Sequence, residues 1–118
     1  MSADAALLRA VEALRAAQTV LIVAHERPDA DAIGSTVAAA MIATSLGASV
    51  TLFNVDGCPD KLRFLPWSDR VVDALPADAS FDATVLLDCS QRSRAGERFP
   101  ANGWGRTVIC LDHHVTHD

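Results

Sequence analysis

Thr19-Val20-Leu21-Ile22-Val23-Ala24 is a short, nearly unbroken apolar run rich in β-branched residues, and His25 follows it at once. Such a run reads as a strand buried on both faces of a parallel sheet, because a half-exposed strand would alternate apolar with polar residues. The flanks agree with that reading. Upstream, Ala3 to Ala17 spaces Leu7, Leu8, Val11, Leu14 and Arg15 into one stripe and leaves Arg9 and Glu12 outside it, as an amphipathic helix does. Downstream, the alanine-rich stretch from Ile33 to Leu46 is helical, and Gly47 supplies its stop. A second strand, Val50 to Val55, closes on the turn signal Asp56-Gly57. Between Cys58 and Asp69, Pro59 and Pro66 argue for loop, with one short helical turn around Leu62 to Leu65.

The rhythm then repeats: Val71-Val72 is a weak strand, Thr84 to Leu87 a strong one, and Thr107 to Leu111 another. Strands alternating with helical or looped connections predict an α/β fold, a mostly parallel sheet flanked by helices. The chain has 118 residues, 50% of them apolar, which is enough for the core of one domain. No internal repeat, low-complexity tract or linker interrupts it.

Charge and cysteine content narrow the function classes. A net charge of −5 and a pI near 5.2 argue against the broad basic surface that grips duplex DNA. A local phosphate site stays open, since bound cations invert the field of an acidic pocket. Cys58, Cys89 and Cys110 form no CxxC pair and read as free thiols in a reducing compartment. Neither a signal peptide nor an apolar stretch of the roughly 18 residues needed for a membrane span is visible, so the expectation is a soluble, cytoplasmic protein.

In parallel sheets, ligands gather beyond the carboxyl ends of the strands. Three expected strands end on residues of one chemical kind there: His25 after the first, Asp88 after Leu87, and Asp112-His113-His114 after Leu111. Asp29 and Asp31 follow His25 across a turn stiffened by Pro28. Carboxylates and imidazoles together suit manganese, magnesium or zinc, and grouped carboxylates repel one another unless cations neutralise them. Each residue also has a plainer reading. Asp31 could be the N-cap of the following helix, with Asp29 favouring its dipole. Gly34 and Ser35, at the helix opening, either admit a phosphate close to the backbone or let helix and strand pack tightly. Asp88 could close an Asx turn with Ser90 or Gln91. Arg92 and Arg94 either hold anionic groups or are solvated. Cys89 is no phosphatase nucleophile, because the arginine such a loop needs six residues on is replaced by Ala95.

Taken together, His25-x-x-Pro28-Asp29-x-Asp31-Ala32-x-Gly34-Ser35, then Asp88 with Arg94 and Gly96 behind it, then Asp112-His113-His114, resemble the first three motifs of the DHH phosphoesterases. The spacing is most similar to the oligoribonucleases that also act as phosphatases on 3′-phosphoadenosine 5′-phosphate, and the resemblance runs from about Thr19 to His114. It implies a Rossmann-like DHH domain with a two-metal site, usually manganese, although magnesium or another divalent ion is compatible. The first cation would be held by His25, Asp29 and Asp88, the second by Asp31, Asp88 and His113. Asp112 would orient a histidine, His114 would contact the scissile phosphate, and Gly34, Ser35 and Arg94 would receive substrate phosphate. The substrate implied is a short RNA or a small nucleotide.

Members of this kind carry a fourth motif with a further aspartate, then a glycine-rich substrate-binding domain, and neither lies within residues 1–118. The resemblance therefore implies an incomplete N-terminal DHH catalytic domain over residues 1–118, weak or inactive by itself. Inorganic pyrophosphatase and cyclic dinucleotide phosphodiesterase are sister chemistries, and a non-catalytic metal- or nucleotide-binding module or an unrelated nucleotide binder are the other readings. An uncovered sheet edge and apolar face are expected as well, which favours self-association into a homo-oligomer.

Overall fold

A computed structural model describes residues 3–25, 27–76, 78–87 and 107–111. Helix α1 (Ala3–Ala16) leads into strand β1 (Thr19–Ala24), helix α2 (Ala30–Ser45) and strand β2 (Ser49–Phe53). Two 3₁₀ turns, Asp60–Leu62 and Ser68–Arg70, precede β3 (Val71–Val72), and β4 (Ala83–Leu87) and β5 (Thr107–Leu111) follow. Among the described residues all strand pairings are parallel, in the order β3-β2-β1-β4-β5. The mostly parallel sheet expected from sequence is thus parallel throughout.

β1 lies at the centre because its residues can be buried on both sides. Val20, Leu21, Ile22, Val23 and Ala24 are all fully inaccessible. Val20, Ile22 and Ala24 join Leu52, Val85 and Leu87 under α2, whereas Leu21 and Val23 join Phe53 and Leu86 on the opposite face. Each such aliphatic side chain contributes about 1.5–3 kcal/mol by leaving water. α2 covers the first face with Ala32, Thr36, Val37, Ala40 and Ala43, whose spacing is one helical stripe. Its one buried hydroxyl is satisfied, Thr36 Oγ1 donating to the Ala32 carbonyl at 2.8 Å. The other face is lined by Leu75 and Phe81 from the connection between β3 and β4.

Several boundaries differ from the sequence reading. α2 begins at Ala30 rather than Ile33, since Asp29 stays extended and caps it. β2 ends at Phe53 rather than Val55, because Asn54 opens a turn in which the Gly57 N–H donates to its carbonyl. The helical turn expected around Leu62 to Leu65 is present as the 3₁₀ turn Asp60–Leu62 continued by the Leu65 N–H to the Leu62 carbonyl at 3.1 Å, and a second 3₁₀ turn, Ser68–Arg70, follows it. In α1, Leu14 packs against the core and Val11 is half-buried, but Leu8 is 62% exposed, off the stripe. Gly47 does end α2: at φ 99 it lets the Ala48 N–H reach the Ala43 carbonyl and its own N–H reach that of Thr44, a Schellman closure. Among the described residues, no helix is long and apolar enough to cross a membrane.

Candidate functional site

The strand order creates a crevice. From β1 the chain crosses through α2 to β2 on one side, and after β3 it returns past both to place β4 on the other side of β1. Between the carboxyl ends of β1 and β4 the connections diverge, which is the switch point where ligands bind in open α/β sheets. Pairing aligns Ala24 with Leu87 and Leu87 with Leu111, so the three strands end level with one another. His25, the next residue after Ala24, is half-buried at this edge.

The chain then turns from β1 into α2. Arg27 adopts a left-handed conformation, φ 54, and Pro28 is buried behind it. Asp29 is extended and accepts the Ala32 N–H on Oδ1 at 2.8 Å, while its carbonyl accepts the N–H of Ile33 at 3.1 Å. Asp29 is therefore the N-cap, and Asp31 is the acidic residue of the first turn. This reverses the capping roles read from sequence, because the helix starts earlier than its periodicity suggested. Both carboxylates are exposed at the positive end of the helix, where negative charge is stabilised.

Capping does not exhaust Asp29. An ionised carboxylate offers about four lone-pair sites, so one bond to Ala32 leaves acceptor capacity for a cation. Half-buried Gly34 and Ser35 follow on α2. A Cβ built on Gly34 would meet nothing within 4 Å among the described residues. Among the described residues, close packing therefore does not demand glycine there.

Asp88, Arg94, Asp112, His113 and His114 lie outside the described residues. Among those described, no group of three or more His, Cys, Asp or Glu side chains is gathered tightly enough to hold a metal ion. His25, Asp29 and Asp31 nevertheless offer imidazole and carboxylate donors at one strand-to-helix junction, a set that suits a hard or borderline divalent cation.

Residues 19–118 match the model of the DHH family, N-terminal domain. The chain belongs to the DHH family. Among DHH-related proteins, the bifunctional oligoribonuclease and PAP phosphatase NrnA of Thermus thermophilus is 35% identical over 115 residues, 95% of this chain and 31% of that protein. A crystal structure of an exopolyphosphatase-related protein from Bacteroides fragilis superposes with a TM-score of 0.81 at 28% identity, over 98% of this chain and 36% of that one. The DHH chain described here thus spans about a third of the length of these relatives.

Two residues of this DHH domain escaped the sequence reading. Asn54 is 1% exposed and Asp56 belongs to the expected turn, yet both hydrogen-bond to the segment carrying His25 and Asp29. The signal was present: Asn54 is a polar residue closing a buried apolar strand, as His25 is. Cys58, beyond the same turn, has no disulfide. Burial pushes its thiol above the ordinary range, with Arg63 pulling it down and Asp60 adding to the rise, which makes it a weak nucleophile at neutral pH.

Proposed function

We propose that this chain is the DHH lobe of a divalent-metal-dependent phosphoesterase acting on short oligoribonucleotides and 3′-phosphoadenosine 5′-phosphate. The observation that carries this reading is the level ending of β1, β4 and β5 at the switch point beside the start of α2. In sequence the chain continues from those ends into His25, Asp88 and Asp112-His113-His114. Membership of the DHH family and the two activities in the name of the Thermus relative support the substrate class.

In this reading His25, Asp29 and Asp88 hold one cation, and Asp31, Asp88 and His113 the other, with Asp88 shared. Manganese is the ion expected, and its role is to neutralise phosphoryl charge and make water more acidic. The protein's own part is orientation. Asp112 holds a histidine in one tautomer, and His114 donates to the phosphoryl oxygen on which negative charge develops. The α2 N-terminus and the space over Gly34 admit a phosphate, and Arg94 pairs with a second one. Water adds to phosphorus and the ribose oxygen departs, giving AMP and phosphate from the 3′-phosphorylated nucleotide or mononucleotides from short RNA.

The test is an assay of the chain with Mn²⁺ on an adenosine dinucleotide, 3′-phosphoadenosine 5′-phosphate, pyrophosphate and a cyclic dinucleotide. Slow, Mn²⁺-dependent release of AMP from the first two, lost in Asp88→Asn, is the expected result. Preferential cleavage of pyrophosphate, or turnover unaffected by Asp88→Asn, would sink the proposal; tight Mn²⁺ binding without hydrolysis would point to a binding module.

A further inference from the structure

Two long-range hydrogen bonds join the β2 turn to the loop between β1 and α2, and they involve turn residues two apart. Asn54 donates from Nδ2 to the His25 carbonyl at 2.9 Å and accepts the Asp56 N–H on Oδ1 at 3.0 Å. Since a backbone N–H only donates, the second bond fixes which way round the Asn54 amide lies. Asp56, positioned by it, accepts the N–H of Arg27 on Oδ2 at 2.6 Å. That short bond is charge-assisted, and it reaches the residue at φ 54. A left-handed conformation costs a non-glycine residue about 1–2 kcal/mol and persists only where its surroundings impose it.

We infer that Asn54 and Asp56 form a clamp that positions the metal-ligand loop. Their purely local duties would be met without it. The bond from Asn54 Oδ1 to Asp56 N already closes an Asx turn, and the Gly57 N–H already closes the wider one on the Asn54 carbonyl. The two remaining bonds cross from β2 to β1 and grip the main chain at His25 and at Arg27. One fixes where the His25 imidazole leaves the sheet. The other holds the turn that delivers the chain through Pro28 to Asp29. Neither Asn54 nor Asp56 is a ligand in this account; they act through His25 and Asp29, as residues behind a metal's direct ligands commonly do. The clamp rests on the proposed function, because it matters only if His25 and Asp29 bind a cation.

Asp56 is exposed, so its variants test the clamp without emptying the core. Mn²⁺ affinity of the whole chain, measured by electron paramagnetic resonance, should fall about ten-fold or more in Asp56→Ala. Asp56→Asn keeps an acceptor oxygen for the Arg27 N–H and should stay within about three-fold of the parent. In the metal-free protein, amide exchange at Arg27 should accelerate in Asp56→Ala and be restored in Asp56→Asn. A parent chain that binds Mn²⁺ and an Asp56→Ala chain that binds it equally well would overturn the clamp and leave the proposed function standing. A parent chain that binds no Mn²⁺ would remove the proposed function, and the clamp's role with it. Equal loss in Asp56→Ala and Asp56→Asn would overturn the clamp too, by making the charge of Asp56 the relevant property.

Discussion

Asp29 carries two duties that substitutions can separate. Its Oδ1 caps α2, which any Asn, Ser or Asp side chain can do about equally well, whereas cation binding needs the negative charge. Asp29→Ala should cost about 1 kcal/mol in urea unfolding, the usual worth of an N-cap. Asp29→Asn should leave stability nearly unchanged and still remove Mn²⁺ affinity. If Asp29→Ala is destabilised, Asp29→Asn is not, and both bind Mn²⁺ as the parent does, capping is all that Asp29 does. The sequence made this residue stand out but misassigned it. Its spacing from Pro28 and Asp31 marked a site, while the choice of Asp29 or Asp31 as cap depended on where the helix starts, which the apolar periodicity beginning at Ile33 does not reveal.

Gly34 within α2 and Gly47 just beyond its C-cap have opposite physical meanings. Gly47 sits at φ 99 and closes the helix, so Gly47→Ala should destabilise the chain by about 1–2 kcal/mol. Gly34 is inside the helix, where alanine is favoured by about 0.8–1.0 kcal/mol and its Cβ meets nothing within 4 Å among the described residues. Gly34→Ala should therefore raise the unfolding free energy by up to that amount and, if the proposed function holds, raise KM for 3′-phosphoadenosine 5′-phosphate. Unfolding curves of the two variants check the signs, and an unchanged KM would free Gly34 from any part in substrate binding. Other elements were legible to differing degrees. β1 and β5 follow their apolar runs residue for residue, because burial on both faces leaves an unbroken hydrophobic signal. β2 is shorter than its run, Asn54 and Val55 being buried in a turn rather than in the sheet.

For the molecule as a whole, the mostly parallel α/β class could be read from the alternation of elements, but the strand order could not. Nothing local in Ala83 to Leu87 says that it pairs with β1 rather than β3; that follows from which faces bury together, Val85 and Leu87 completing the layer begun by Val20 and Ile22. The order nevertheless matters most for function, since it brings the ends of β1, β4 and β5 level. A site assembled from separate strands exists only in the folded chain, so a ligand bound there must stabilise the whole fold. At free Mn²⁺ 100 times Kd the gain is about 2.7 kcal/mol. For a domain of this size that corresponds to a rise in Tm on the order of 10 °C. Scanning calorimetry with increasing Mn²⁺ should show that rise in the parent chain and lose it in Asp29→Asn and Asp88→Asn, which follow different strands in the sequence. A rise lost in only one of them would mean that the cation is held at a single strand end, and a rise kept in both would place it elsewhere.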